Sequence, residues 1–226
     1  MKYNFSNFKS SPIDGYFVAA VKTELITDRS DICEIINNSA VKLSMPEDIL
    51  IISEKALAIS QGRAMKLSEI KPSFLAKLLC RFVKKTKNGI GLGIPETMQI
   101  AIRDCGVMRI LFAAFLSAIF KTFRIRGIFY VIAGLKAFCI DGPTNYTIPP
   151  YNEYVVPMPD KPQKNAEKIM EKTGLRILVV DINNLGGRII GDSCKCKDHD
   201  LILSVLKNNP LGQSDESTPI GLIRKV

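Results

Sequence analysis

Three polar side chains close apolar runs in this sequence and could do chemistry together. Asp141 ends the run AFCI in AFCIDGPTNY, Asp181 ends RILVV in RILVVDINNLGG, and Gln213 stands in PLGQSDESTP just before the last apolar segment. A carboxylate at the end of a buried strand is held rigidly yet faces a loop. Two such groups suit a hard divalent cation that bridges phosphate oxygens. Taken singly, each Asp also reads as a turn former or cap. The glycines beside them, Gly142, Gly186 and Gly187, fit either reading.

Two further clusters carry weaker signals. Gly89-Ile-Gly-Leu-Gly-Ile-Pro offers backbone N–H groups ahead of a helix start, which can hold an anion. It matches neither the dinucleotide glycine pattern nor the Walker A pattern, and a tight turn is the better account of it. Ser193-Cys-Lys-Cys-Lys-Asp-His199 brings two thiols and the sole histidine together. A Cys-x-Cys with His three residues on could ligate zinc, but no fourth conventional ligand is spaced to complete it, so a surface loop is expected. Any imidazole base would have to be His199, and no GxSxG elbow supports a hydrolase.

Positioning these residues requires strands that end in loops. Tyr16–Val21 and 48–52 read as short strands rich in β-branched and aromatic residues. Between them Ser30 or Asp31 can cap a helix that carries Ile32, Ile35 and Ile36 on one face. Residues 72–85 form an expected amphipathic helix, and Pro95 with Glu96 opens another that runs to Cys105. A helix from Pro162 through Lys172 should stop at Gly174. Residues 175–180 make a buried strand ending at Asp181, 201–207 a helix, and 218–223 a closing strand. Strands and helices mix without strict alternation. The expected class is α+β, with mixed sheets and packed helices in one unit over residues 1–226, or in two subdomains whose boundary the sequence does not mark.

The chain has 226 residues, 46% apolar and 23% charged, which excludes disordered, collagen-like and coiled-coil classes. Six scattered cysteines without a CxxC pair, and no signal peptide, point to reduced thiols and a cytoplasmic location. The net charge is +9, and 63–126 alone holds thirteen Lys and Arg against three acidic residues. Such a block can attract nucleotide phosphate, nucleic acid or anionic lipid, or merely solvate a face. It contains ILFAAFLSAIF at 110–120. Eleven helical residues rise only about 16 Å, about half the hydrocarbon core, so this run is expected as a buried helix and not a span.

Together the ordered segments DILIISEKALAISQGR, IPETMQIAIRDCG, AFCIDGPTN, VVDINNLGGRIIGDS and PLGQSDESTPIGLIR resemble the coenzyme F-420-0:gamma-glutamyl ligase family, from about Tyr16 to Arg224. The likeness extends to ligase-like relatives carrying Ile-Asp-Gly-Pro and Pro-Pro-Tyr-Asn. It implies a GTP-dependent ligase that uses Mg2+ or Mn2+ and joins glutamate to a phosphorylated carboxylate acceptor through an acyl phosphate. By the same resemblance Asp141 and Asp181 hold metal, Gln213 completes the shell, and Lys55 and Asn145 meet nucleotide. Asn145 is offset by one residue from the family position, and Glu54 replaces a Ser before Lys55. Lys22, Thr23 and Glu24 occupy the loop where the family also contacts nucleotide. Ile59 stands where the family has a second Lys, Ile182 where it has Thr, and a Gly-Pro insertion follows Asp141. The family further implies an intertwined homodimer, in which the 110–120 run would be interface. The alternative is a non-catalytic homologue that binds an anionic ligand, nucleic acid or membrane surface through the 63–126 block.

Overall fold

The computed structural model describes residues 13, 15–83, 90–125, 127–183, 186–212 and 216–225. In chain order the early elements are β1 (Tyr16–Val21), α1 (Ile32–Asn38), β2 (Ile49–Ser53), α2 (Glu54–Ser60), β3 (Met65–Lys66) and α3 (Phe74–Leu79). Next come α4 (Pro95–Cys105), α5 (Val107–Thr122), α6 (Ile128–Ala133), α7 (Leu135–Phe138) and β4 (Tyr154–Val155). The last are α8 (Pro162–Thr173), β5 (Arg176–Asn183), β6 (Gly186–Asp192), α9 (His199–Leu206) and β7 (Ile220–Lys225). The chain divides into two compact units, Met1–Gly62 with Pro159–Val226, and Arg63–Met158. The class is α+β, as the mixed sequence pattern implies.

The first unit is built on a five-stranded sheet in the order β1-β7-β2-β5-β6. β2 and β5 run parallel, from Ile49 opposite Arg176 to Ser53 opposite Val180, and the remaining pairs are antiparallel. The unbroken apolar runs ILII and ILVV follow from this central place, because a strand covered on both faces needs no polar alternation. Leu50, Ile52, Ile177 and Val179 pack with Cys33 and Ile36 of α1 and Ala166 and Ile169 of α8. On the other face Ile51, Leu178 and Val180 pack with Ile202, Val205 and Leu206 of α9.

Local signals set several boundaries. Asp31 accepts hydrogen bonds from the N–H groups of Cys33 (2.8 Å) and Glu34 (3.4 Å) and so caps α1. Gly174 takes φ +72° where α8 stops. The sequence shows no sign of β6, because GGRIIGD lacks a long β-branched run. Its Gly191 is demanded by close packing, since a Cβ there would lie 2.6 Å from the Pro162 carbonyl at the start of α8.

The second unit is mainly helical. Its core gathers Ala76 and Cys80, Met98, Ile100 and Ala101 of α4, Ile110 and Ala113 of α5, Ala133, Ala137 and Val155. α4 and α5 meet at 116°, broken at Gly106 with φ +88°. The expected 72–85 helix is shorter, with α3 followed by a 3-10 turn at Cys80–Phe82. The 110–120 run is not the buried core helix that its composition suggests. Only Ile110 and Ala113 of α5 are buried, whereas Met108 (79%), Phe112 (56%) and Phe115 (62%) are exposed. Apolar residues encircle α5, but the unit supplies one stripe of partners for them. Among the described residues no single helix is long and apolar enough to cross a membrane.

Candidate active site

The register of the parallel pair builds a polar edge on the first unit. Ser53 and Val180 are the last partners of β2 and β5, so the next residues, Glu54 and Asp181, emerge side by side. Their carboxylate oxygens lie within 4.8 Å of each other. Glu54 is only 6% exposed and Asp181 is half-buried. Lys55, also half-buried, follows Glu54 in the first turn of α2. β5 does not end at Asp181, as its sequence suggests, but runs on to Asn183, so Asp181 stands opposite Arg188 of β6. That pairing fixes its height and the face it presents.

Two more segments reach the same edge. β1 ends here and β7 begins here, with Val21 and Ile52 both opposite Ile220. The Ser53 N–H donates to the Pro219 carbonyl (2.9 Å). Beyond β1, the Thr23 N–H donates to the Ser217 carbonyl (2.9 Å), and the Ser217 hydroxyl returns a bond to the Thr23 carbonyl (2.9 Å). The 22–24 loop is thereby clipped to the loop before β7. Ligands in open α/β sheets sit beyond the carboxyl ends of parallel strands, and β2 and β5 present theirs at this edge. Two adjacent carboxylates are hard oxygen donors and fit Mg2+ or Mn2+.

The other sequence-derived residues are distributed as follows. Asp141 lies in the second unit, exposed, with its backbone paired in both directions to Val156 (2.9 Å each). Gly142 packs so closely beneath it that a Cβ would meet Ile90 at 3.2 Å and Thr97 at 3.3 Å, which explains a glycine after Asp141. Asn145 is exposed in the turn from Thr144 to Thr147, also in the second unit. Gln213 lies outside the described residues, as does Gly89 of the glycine-rich segment. The described part of that segment is a turn, closed by the Gly93 N–H on the Ile90 carbonyl (2.9 Å), with Leu92 fully buried.

Ile59 is buried in α2, and Ile182 packs against the cluster of Leu178 and Val180. The aliphatic residues at these two family positions thus contribute to the core. Glu54 is the candidate ligand that sequence reasoning passed over. Alignment with a family Ser hid it, although a carboxylate directly after the apolar run ILIIS carried the same strand-end signal as Asp181.

No curated protein matches the chain. A profile of the family described as F420-0:Gamma-glutamyl ligase matches residues 20–183, well over half the chain, taking in β2, α2 and β5 with Glu54, Lys55, Asp141, Asn145 and Asp181. With the ordered motifs and a polar edge at the ends of β2 and β5, this match establishes that the chain belongs to the F420-0:gamma-glutamyl ligase family.

Proposed function

We propose that the protein is a nucleotide- and metal-dependent amide ligase that joins glutamate to a phosphorylated carboxylate acceptor. One observation carries the reading: Glu54 and Asp181 hold two carboxylates within 4.8 Å, directly after the last paired residues of the parallel strands β2 and β5, next to Lys55. In the reaction, an acceptor carboxylate oxygen bonds to the γ-phosphorus of GTP and GDP leaves. The glutamate amine then bonds to the acyl carbon, phosphate departs and a proton is released. Glu54 and Asp181 would hold Mg2+ or Mn2+, which supplies charge neutralisation for phosphoryl transfer. Lys55 neutralises nucleotide phosphate, and the Thr23–Ser217 clip keeps the neighbouring loop in place. By family resemblance Asp141 and Gln213 also hold metal and Asn145 meets nucleotide; each is tested by its own substitution.

The same reading assigns a homodimer, supported by the exposed apolar face of α5 and by the resemblance. A cytoplasmic location accords with free thiols at all six cysteines. Thermal-shift measurements with GTP, ATP and glutamate, each with and without Mn2+, test the proposal. GTP and Mn2+ should raise the melting temperature together, and Asp181→Ala or Glu54→Gln should abolish the rise. Absence of any nucleotide response, or its survival in both variants, overturns the assignment.

A second reading rests on charge. The second unit carries 14 Lys and Arg against 5 acidic residues, with exposed aromatics among them. A homologue without catalysis would use that surface for an anionic partner. Salt-sensitive binding to RNA, DNA or anionic vesicles, with no nucleotide response, would select it.

A further inference from the structure

The loop between β6 and α9 was expected to be an ordinary surface turn, for want of a fourth ligand. The structure places a carboxylate beside both thiols and leaves His199 to bond that carboxylate. Asp192, the last residue of β6, is 8% exposed, and its oxygens lie within 4.8 Å of both the Cys194 and Cys196 sulfurs. The two sulfurs are 3.1 Å apart. His199 Nε2 is 2.7 Å from Asp192 Oδ2. The carboxylate also accepts the N–H groups of Cys194 and Cys196, each at 2.8 Å. All four side chains belong to the first unit, at the end of the sheet opposite Glu54 and Asp181. They lie beyond the residues that the family profile matches.

A carboxylate that caps a loop needs neither sulfur. Here Lys195 adopts φ +50°, a left-handed conformation costly for a side-chain-bearing residue, and flanks the convergence of both thiols on the Asp192 side. Burial, the second sulfur and the carboxylate all push the Cys194 thiol well above its usual value, since a thiolate there would face like charge. A bound cation reverses that penalty, because a coordinating thiol loses its proton outright.

We propose that this loop is a metal site for a thiophilic divalent cation of the zinc class, held by Cys194, Cys196 and Asp192, with His199 orienting the Asp192 carboxylate. Two thiolates select zinc over the hard cations suited to Glu54 and Asp181. Zinc–sulfur bonds of about 2.3 Å in a tetrahedron set bound sulfurs roughly 3.8 Å apart, so the pair need open by only about 0.7 Å. A hydrogen-bonded carboxylate ligand follows the usual outer-shell pattern of metal sites.

The test is titration of the reduced, metal-free full chain with Co2+. One equivalent should produce a thiolate-to-cobalt charge-transfer band that Zn2+ displaces. The Cys194→Ser/Cys196→Ser double variant should lose the band, and His199→Ala should weaken Co2+ binding about 10–100-fold, as outer-shell losses do. If the double variant does not fold by circular dichroism, alkylation of the wild-type protein reads the same site, with Zn2+ protecting Cys194 and Cys196. No charge-transfer band in the wild-type chain, a band unchanged in a folded double variant, or alkylation of both thiols at the same rate with and without Zn2+ overturns the proposal. These readouts are separate from the response to GTP and Mn2+, so either site can fail without the other.

Discussion

The two units solve different problems with different chemistry. The first is electrically balanced, with 17 Lys and Arg against 17 Asp and Glu, whereas the second has 14 against 5. The first covers both faces of its sheet, so Leu50, Ile52, Ile177 and Val179 have no use for solvent. The second leaves Phe74, Phe82, Met108, Phe112 and Phe115 largely exposed around a modest core. A rigid, neutral sheet is suited to holding acidic donors in register. A basic helical unit with bare aromatics is suited to meeting something else, whether anion or protein.

The largest expected effect bears on whether the first unit is where phosphoryl chemistry is anchored. Asp181→Asn should lower glutamate-dependent GDP release by about 10²–10³-fold, the cost typical of removing one preorganised electrostatic group. Glu54→Gln should fall in the same range, while Lys164→Gln, an exposed residue of helix α8, should change nothing. Steady-state kinetics with Mn2+ checks this. Full activity in both carboxylate variants would move the anchor away from the β2–β5 edge.

Next in size is an ion pair that ties the sheet of the first unit together. Asp48, 4% exposed, receives Arg224 through Nε (3.0 Å) and Nη2 (2.7 Å), and also accepts the Met45 N–H (2.8 Å). Asp48→Ala strands the guanidinium and should cost about 3 kcal/mol, near the lower end for breaking a buried pair because Arg224 is partly solvated. The half-buried bond from Arg63 to Asp104 (3.0 Å) in the second unit should cost under about 1 kcal/mol when removed. Chemical denaturation of the two variants measures the contrast, and equal losses would erase it.

In both units the sequence revealed what is decided locally and hid what is not, for a physical reason. Strand β1 coincides with the residues read from YFVAAV, α4 with Pro95–Cys105, and α8 stops at Gly174 as expected. These boundaries are local: a β-branched run, a proline at a helix start, a glycine free to take positive φ. β6 escaped because glycines at 186, 187 and 191 dilute its strand character, and Gly191 is explained only by the approach of Pro162. Glu54 beside Asp181 depends on the register of strands more than a hundred residues apart, which no local pattern records. The fate of 110–120 was equally illegible, since composition reports apolarity but not whether neighbours exist to cover it.

A smaller effect concerns local order in the first unit. Asp31 caps α1, and the N–H groups of Cys33 and Glu34 hold its carboxyl below the usual carboxylate range. Its folded value therefore lies below its unfolded one, so the cap adds stability above about pH 4 and loses it as pH falls through the folded value. Asp31→Ala should cost about 1 kcal/mol near neutrality, and the gap between variant and wild type should narrow under acid. Melting curves across pH test the sign; a gap that widens on acidification would contradict it.

The smallest effect on stability falls where the second unit looks most anomalous. Phe112 (56% exposed) and Phe115 (62% exposed) project from α5 while Ile110 and Ala113 face the core. Little apolar area is removed from water at either ring, so Phe112→Gln and Phe115→Gln should shift the stability of an isolated chain by only about 0.5 kcal/mol. A partner changes the arithmetic. Rings buried against a second chain contribute at about 25 cal/mol per Å² of apolar area covered, so the same substitutions then act on association. Sedimentation across a concentration series separates the cases. If α5 is the dimer face, the double variant should dissociate at concentrations where the wild type is paired, yet keep its melting temperature when both are measured dilute. If the variant instead loses stability as a monomer by as much as Asp48→Ala does, the exposed face of α5 belongs to the core after all, and the contrast between the two units disappears.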